Sequence, residues 1–401
     1  MIIQEKSIQV NDLLNIAQRE ESWMKYRTMG KLGIQTSAFG LGCMRFNGAA
    51  SGDSVIDEQK AISLIRRAID GGVTYLDTAY VYLDRTSEIV LGKALQDGYR
   101  DRVTIATKMP MEAVRDRASM EALLNEELGK LRTDHIDFYL MHGINKEKWE
   151  YFKSIGAPEF FEDMKKAGKI RFKCFSFHGP YEEFEYIIND WDWDMVQIQY
   201  NFMDVDNQAG TKGLELAGSK GIPVVIMEGL LGGRLAKAPS NVQALYDAFP
   251  VKRSLVEWAF RWLCDHPQVA VVLSGCNEPE QIDDNLRIFD TVESGIMTKE
   301  ERDLMDGVRA AYLSRTKIGC TGCRYCMPCP NGVDIPGVFA SWNNVSLYDT
   351  DPKWDWGLRM IKERKSGANN CIGCGACEAA CPQHLQIIEG LQQAWKELTA
   401  E

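Results

Sequence analysis

Apolar and polar positions alternate regularly from about residue 37 to residue 290. Short apolar runs of strand length, such as VTYLDTAY at 73–80 and IRFKCFSF at 170–177, are apolar on both faces, which is typical of strands buried in a parallel sheet. Amphipathic stretches with helical periodicity lie between them, such as DEQKAISLIRRAIDGG at 57–72, which ends in two glycines. The pattern therefore predicts eight consecutive strand–helix units.

Eight such units predict an α/β fold in which the strands close into a TIM barrel of about 250 residues, because right-handed crossovers place successive parallel strands side by side. An open, doubly wound sheet is the alternative fold. It is disfavoured because no GxGxxG motif follows the first predicted strand.

The composition of the chain changes after the barrel. The stretch TKEERDLMDGVRAAYLSRTK predicts a helix, and from about residue 318 the chain is rich in Cys, Gly and Pro. We therefore expect an N-terminal extension at 1–23, the barrel at 24–298, a connecting helix at 299–317, and a small domain with a C-terminal helix at 318–401. The extension is either a short helix over VNDLLNIAQREE or a segment upstream of a working start at Met24.

The bulk composition argues against several classes of protein. Hydrophobic residues make up 45% of the 401-residue chain and charged residues 26%, which is typical of a globular protein with a real core. The net charge of −11 and the lack of a basic run argue against a nucleic-acid partner. No apolar window approaches the roughly 20 residues needed to cross a bilayer, and the N-terminus has no signal-peptide core. We expect a cytoplasmic protein without a membrane partner.

Polar residues follow the predicted strands at the end where a barrel of this type carries its chemistry. Asp77 follows the second strand, and Tyr82 lies five residues further on. Lys108 and His142 end the third and fourth strands. A tyrosine acts as a general acid when a cation lowers its pKa, so we expect Lys108 to supply the cation and Asp77 to hold Lys108. With His142 orienting a carbonyl oxygen, the set predicts carbonyl reduction.

Over roughly residues 24–292 the sequence resembles the aldo-keto reductases, through the motifs YLDTAYVYLDRTSEIVLGKAL, IATK, DFYLMH, KIRFKCFSF and PEQIDDNL. The resemblance places the family's catalytic tetrad on Asp77, Tyr82, Lys108 and His142. Tyr80 is a weaker candidate for the tyrosine. The resemblance implies an oxidoreductase that acts on CH–OH or carbonyl groups and interconverts an aldehyde or ketone with its alcohol.

The same resemblance implies a nicotinamide dinucleotide across the top of the barrel. The residues that would contact it are Ser176, Gln197, Met227, Glu228, Gly229, Leu230, Ser274, Gly275, Gln281 and Asn285. Phe177 stands where the family has an asparagine, and Met227 where it has an aromatic residue that stacks on nicotinamide. Gly275 and Gln281 stand where it has basic residues that grip a 2′-phosphate. Recognition of that phosphate is thereby weakened, so NADH and NADPH both stay open.

Eight of the twelve cysteines form two tight groups near the C-terminus, which indicates metal ligation in a chain of this length. They are Cys320, Cys323, Cys326 and Cys329 in the first group, and Cys371, Cys374, Cys377 and Cys381 in the second. The second group has the spacing of bacterial ferredoxins, and the first is one residue shorter before its last cysteine. Two [4Fe–4S] clusters in a ferredoxin-like domain are the favoured interpretation. Two structural zinc sites are the alternative.

The resemblance to two-cluster ferredoxins also implies that the last cysteine of each group crosses over. By that resemblance Cys381 completes the ligand set of the first triplet, and Cys329 completes the set of the second. Gly322, Gly373 and Gly375 would let backbone amides approach the cluster sulfides.

The whole chain thus resembles an iron–sulfur subgroup of the aldo-keto reductases. The expected function is NAD(P)H-dependent interconversion of a small carbonyl or alcohol substrate, in a protein that carries two [4Fe–4S] clusters. The alternative is an electron-transfer or redox-sensing protein whose clusters exchange electrons with a partner protein, with a flavin as one route, and whose barrel is catalytically secondary. The intact tetrad argues against this alternative, because an inactive barrel has no need of all four residues.

Overall fold

The protein is described here by a computed structural model, which covers residues 24–46 and 56–400. The predicted N-terminal extension, with both of its interpretations, lies outside the described residues. The described strands are β1 (Tyr26–Thr28), β2 (Gln35–Ser37), β3 (Phe39–Gly42), β4 (Tyr75–Asp77), β5 (Thr104–Met109), β6 (Ile136–Ile144), β7 (Ile170–Phe177), β8 (Met195–Gln199), β9 (Val224–Met227) and β10 (Val269–Ser274).

The strands from β3 to β10 form one closed barrel in the order β10-β3-β4-β5-β6-β7-β8-β9, and every neighbouring pair is parallel. Each predicted strand–helix unit is present, so the predicted barrel is confirmed. The carboxyl ends of all barrel strands lie at one rim. The residues that the sequence analysis singled out lie at or near these strand ends.

The helices of the barrel region are α1 (Glu58–Asp70), α2 (Ser87–Ala94), α3 (Arg117–Leu131), α4 (Lys146–Ser154), α5 (Ala157–Lys166), α6 (Tyr181–Asp190), α7 (Gly210–Ser219), α8 (Ser240–Ala248), α9 (Leu255–Asp265) and α10 (Pro279–Phe289). Helix α1 shows why they form where they do. The Asp57 side chain caps it by accepting from the Lys60 amide, and it ends before Gly71. Its apolar positions recur at helical spacing and are buried: Ala61, Leu64, Ile65, Ala68 and Ile69.

The barrel interior is filled by inward-facing side chains from the strands. They include Tyr75, Ala106, Phe138, Leu140, Cys174, Met195, Val225, Val271 and Leu273. An antiparallel hairpin of β1 and β2, which the sequence pattern did not indicate, adds Met29 and Ile34 to this core. The hairpin turn also bonds to the segment that precedes β9, since the Lys31 amide donates to the Gly221 carbonyl (2.7 Å). The hairpin therefore closes the amino-terminal end of the barrel, opposite the rim.

The chain divides into two compact units. The first contains the described residues up to Gly232 together with Glu257–Met297, and the second contains Gly233–Val256 together with the described residues from Thr298 onward. The segment 233–256 follows β9 and was assigned to the barrel in the sequence analysis. Its membership of the second unit has a local cause in the packing of α8.

Helix α8 packs against α11 (Lys299–Leu313), the helix predicted to leave the barrel. The hydroxyl of Tyr246 lies 3.9 Å from the sulfur of Met305, and the hydroxyl of Tyr312 donates to the Lys237 carbonyl (3.2 Å). These contacts join residues of the loop after β9 to a helix fifty or more positions away. A composition shift along the chain carries no signal for such a contact.

The second unit contains more helix than its composition indicated. Besides α11 it has α12 (Ile335–Tyr348), α13 (Trp356–Glu363), the short α14 (Ala376–Ala380) and the predicted C-terminal helix α15 (Ile387–Leu398). Its core combines apolar side chains of α12, α13 and α15 with Cys381. Among the described residues, no helix is both long enough and apolar enough to span a membrane.

Candidate functional site

A buried ion pair lies at the rim of the barrel. Lys108 on β5 and Asp77 at the end of β4 are 1% and 3% exposed. The Lys108 ammonium donates to both Asp77 carboxylate oxygens (2.7 and 2.8 Å) and to the Thr78 carbonyl (2.7 Å). Burial acts to lower the pKa of Lys108, but Asp77 and Tyr82 outweigh it and the pKa is raised. Lys108 therefore stays protonated, and three hydrogen bonds hold its ammonium group in place.

Tyr82 lies over this cation. The Lys108 ammonium is 5.0 Å from the centre of the Tyr82 ring, close enough for its charge to act on the Tyr82 hydroxyl. Burial nevertheless raises the pKa of Tyr82, with Lys108 opposing that rise. The sequence analysis expected the cation to lower this pKa overall. Because desolvation is the larger effect, the tyrosine keeps its proton at neutral pH.

Tyr80, the weaker candidate, points elsewhere. Its hydroxyl donates to Glu126 on α3 (3.2 Å), and Arg85 also donates to it. The Lys130 ammonium lies 4.1 Å from the centre of its ring. Tyr80 thus belongs to the interface between the loop and α3, and Tyr82 alone of the two approaches Lys108.

The loop that carries Tyr82 is strained. The three residues after it, 83–85, all have positive φ values of 52°, 49° and 69°, and none of them is glycine. Such residues cost about 1–2 kcal/mol each and persist where surrounding contacts hold them, often at active sites. Here Arg85 is held by Glu126 at 2.9 Å.

His142 completes the set from β6. Its ring centre lies 6.0 Å from that of Tyr82, with the rings nearly perpendicular. Burial is the main cause that lowers the pKa of His142 to about 3, and the positive charges of Lys108 and Lys148 add to it. His142 is therefore neutral at physiological pH. The predicted tetrad of Asp77, Tyr82, Lys108 and His142 is brought together at one point of the rim.

The neutral state of His142 makes the stability of the fold depend on pH. With a native pKa of about 3 against an ordinary value of 6.5, unfolding takes up a proton between these values, so stability present above pH 6.5 is lost as pH falls. Urea-unfolding midpoints at pH 7.5 and 5.5 are expected to fall more in the wild type than in His142→Gln. Equal falls in both proteins would contradict a neutral His142.

Beside His142 the strand ladder is irregular. The pairing of β6 with β7 shifts register between Met141 and Ile144, which leaves the Gly143 amide outside the regular ladder. The Ser176 hydroxyl oxygen accepts a hydrogen bond from this amide (2.8 Å), so the hydroxyl hydrogen of Ser176 can be donated to a ligand at the rim. Gln197 is the neighbour of Ser176 across β7 and β8, and its side chain lies near Asp77.

Gln197 has an unsatisfied polar atom. Its Oε1 is buried and has no hydrogen-bond partner among the described residues. A buried acceptor of this kind costs free energy unless a ligand supplies a donor. A carboxamide would offer a donor to Gln197 and an acceptor to the Ser176 hydroxyl, so these two residues fit the nicotinamide end of a dinucleotide.

The other predicted dinucleotide contacts lie on the same rim, at the ends of β9 and β10. Met227 ends β9, and Glu228, Gly229 and Leu230 follow it; Ser274 ends β10, and Gly275 follows it. Two residues on α10 are already engaged. Gln281 Oε1 accepts from the Asn277 and Glu278 amides, and Asn285 Nδ2 donates to Ser274 and to the sulfur of Cys276.

The packing of Phe177 gives a reason why this position does not carry the expected asparagine. It is fully buried at the end of β7, and its ring packs edge-on against Phe184 of α6, with centroids 5.2 Å apart. This position thus faces the helix layer and adds no polar group to the rim. His178, the next residue, bonds to Gln208 (3.1 Å) and lies near Gly143, on the side of His142.

The clustered cysteines line two cavities in the second unit. Cys320, Cys323 and Cys326 of the first group line one cavity together with Cys381. The second-group residues Cys371, Cys374 and Cys377 line the other together with Cys329, and Cys326 borders it too. The cavity linings therefore mix the two groups in the way that the crossover requires.

Among the described residues, no three His, Cys, Asp or Glu side chains meet closely enough to hold one metal ion. A [4Fe–4S] cluster takes one thiolate at each of four irons, so its ligands surround a cavity and do not meet at one point. The two cysteine-lined cavities fit that requirement.

The two cysteine loops share one backbone conformation. Gly322 and Gly373, which precede the second cysteine of each group, have φ values of +69° and +70°. Arg324 and Gly375, which follow that cysteine, have +66° and +76°. Left-handed residues on both sides of a cysteine wrap the loop tightly, and glycine adopts this conformation without cost. The groups are thus structural repeats.

Two protein-family models match the chain. The model described as the aldo/keto reductase family matches residues 38–294, and the one described as a 4Fe-4S dicluster domain matches residues 319–386. The first match spans all eight barrel strands, and the second contains all eight clustered cysteines. The predicted combination of an aldo-keto reductase barrel and a ferredoxin-like iron–sulfur domain is confirmed.

Individual proteins agree with the family models. The chain is 26% identical over 294 residues to the uncharacterized oxidoreductase YqkF of Bacillus subtilis (strain 168), which covers 66% of this chain and 90% of that protein. It is 33% identical over 156 residues to the aldo-keto reductase YhdN of the same organism, over 37% of this chain and 45% of that protein. The holo structure of aldo-keto reductase AKR11C1 from Bacillus halodurans superposes with a TM-score of 0.60 and 26% identity, over 71% of this chain and 96% of that one.

Proposed function

The chain belongs to the aldo/keto reductase family and carries a 4Fe-4S dicluster domain, and on this basis we propose that it interconverts an aldehyde or ketone and its alcohol with NADH or NADPH. A nicotinamide dinucleotide, when bound, would supply the hydride for the carbonyl carbon. One observation carries the proposal. The Lys108 ammonium is held by three short hydrogen bonds beneath Tyr82 and close to a neutral His142.

Each tetrad residue has a distinct role in this proposal. Tyr82 is protonated, so it would donate its proton to the carbonyl oxygen as hydride reaches the carbon, and the product is the alcohol. Lys108 would offset the negative charge left on the Tyr82 oxygen. Asp77 positions Lys108. His142, being neutral, would hold the carbonyl oxygen by a hydrogen bond and place it near Tyr82.

The cysteine-lined cavities support two [4Fe–4S] clusters as the cofactors of the second unit. Such clusters, when bound, would exchange single electrons. Two large apolar side chains lie exposed between the ligands, Tyr325 at 72% and Ile372 at 70%. Both side chains also line the cavity of Cys371, Cys374 and Cys377, so they border one proposed cluster site. Single-electron exchange needs a donor or acceptor, and we therefore include a redox partner protein in the proposal, in addition to the small-molecule substrate.

The proposed activity is tested by replacing the buried cation. Lys108→Met is expected to lower kcat for NADH- or NADPH-dependent reduction of aldehydes by about 100-fold or more, since Tyr82 loses the charge that offsets its own. It should also lower the urea-unfolding midpoint, because Asp77 is left buried without its partner. Steady-state kinetics on anaerobically purified protein, followed by absorbance of the reduced nicotinamide, measures the first effect.

Lys130→Met is the matched control. Lys130 also stands over a tyrosine ring, that of Tyr80, but it lies on α3 away from the rim. It should keep the wild-type kcat. A wild-type protein that reduces no carbonyl compound with either dinucleotide would contradict the proposed function, and so would a Lys108→Met protein of unchanged kcat.

A further inference from the structure

Arg45 crosses the rim next to the predicted dinucleotide contacts. It lies three residues beyond the end of β3, and β3 pairs with β10, which in turn pairs with β9. A Cβ atom added to Gly275, the first residue after β10, would lie 2.8 Å from Cγ of Arg45 and 3.3 Å from its Cβ. The Arg45 side chain therefore occupies the space that a side chain at position 275 would need.

The far end of Arg45 reaches the loop after β9. Its Nη2 lies 3.6 Å from the position that a Cβ of Gly232 would take. The side chain thus starts on the β3 loop, passes over the end of β10 and ends beside the β9 loop. Gly232 and Gly275 are both exposed, so a ligand can approach the guanidinium and the two backbones together.

The guanidinium group of Arg45 has no acidic partner within the described part of the first unit. No carboxylate among residues 24–46 and 56–400 forms an ion pair with it, whereas several other arginines of the barrel are paired, such as Arg66 with Asp97 and Arg67 with Asp283. A half-buried guanidinium without an acidic partner, in a chain of net charge −11, is available to pair with an anion.

We propose that Arg45 binds a phosphate group of the nicotinamide dinucleotide. The inference rests on the proposed function, because that function supplies the ligand. It also revises the expectation of weak phosphate recognition, which considered only positions 275 and 281. Gly275 carries no charge, but because it has no side chain it leaves the space that the Arg45 side chain occupies. The phosphate is either the 2′-phosphate of NADPH or the pyrophosphate common to both dinucleotides.

Dissociation constants of NADPH and NADH test the proposal, measured by quenching of tryptophan fluorescence on the full-length, anaerobically purified protein. Arg45→Gln is expected to raise Kd roughly 10- to 100-fold, the effect of losing a hydrogen bond to a charged group. A rise for NADPH alone identifies the 2′-phosphate, and an equal rise for both identifies the pyrophosphate. Arg45→Lys should recover part of the affinity.

A second variant tests the geometry without removing any charge. Gly275→Ala places its Cβ against Arg45 Cγ, so it should weaken binding of the same dinucleotides as Arg45→Gln does. Arg115→Gln, at an 87% exposed side chain, is the control and should bind as the wild type does. Wild-type Kd values in Arg45→Gln would overturn the inference and leave the proposed function standing. A wild type that binds neither dinucleotide would overturn both.

Discussion

Replacing Tyr82 by phenylalanine is expected to lower kcat for carbonyl reduction by about 10²- to 10⁴-fold, the range that a positioned general acid contributes. The substitution removes one hydroxyl and keeps the ring that faces His142 at 6.0 Å. Since no charge of the rim is lost, the Kd of the dinucleotide should stay at its wild-type value. Steady-state kinetics on a panel of aldehydes, together with fluorescence titration, separates the two effects.

Tyr80→Phe is the matched control for this experiment. It removes a hydroxyl from the same loop, but one that contacts Glu126 and Arg85 outside the rim. Its kcat should equal that of the wild type. Unchanged kcat in Tyr82→Phe would remove Tyr82 from its role as acid. A comparable loss in both variants would show that the loop conformation matters and the individual hydroxyl does not.

The barrel and the location of its tetrad followed from the sequence for a physical reason. Parallel strands in a closed barrel are buried on both faces, so they appear as apolar runs, and their carboxyl ends must share one rim. Asp77 ends β4, and Lys108 and His142 lie one and two residues before the ends of β5 and β6, so three neighbouring strands bring them together. The resemblance to the aldo-keto reductases, and not the strand pattern, selected Tyr82 over Tyr80, and the structure places Tyr82 beside Lys108.

What the sequence did not predict depends on packing between distant segments. The β1–β2 hairpin is held by its packing against the barrel interior. Helix α8 belongs to the second unit because it packs against α11. The net direction of the Tyr82 pKa was not foreseen either, because burial raises it more than Lys108, as expected, lowers it. The sequence names the nearby cation but carries no measure of desolvation, and desolvation is the larger effect. Arg45 was missed because the β3 loop has no strand-end signal at that position.

For the two cysteine groups, likewise, spacing along the chain predicts some features and packing determines the others. Spacing predicts two wrapped triplets, and Gly322 and Gly373 repeat the same left-handed turn in both. Which triplet each last cysteine joins depends on how the two loops face each other. Cys381 is buried in the core of the second unit and lines one cavity with Cys320, Cys323 and Cys326 of the other group. That placement favours the crossover, although the first group is one residue short.

Paired cysteine substitutions are expected to identify the ligand sets by iron content. In Cys320→Ser/Cys381→Ser both changes fall in one proposed set, so about four of about eight iron atoms per chain should remain. In Cys371→Ser/Cys381→Ser the changes fall in different sets, and iron should approach zero. Iron and acid-labile sulfide are measured on anaerobically purified protein, with circular dichroism to show that the helices persist. If each group bound its own cluster, the two variants would exchange results, because Cys371 and Cys381 would then share one set. Zinc in place of iron and sulfide in the wild type would contradict clusters altogether.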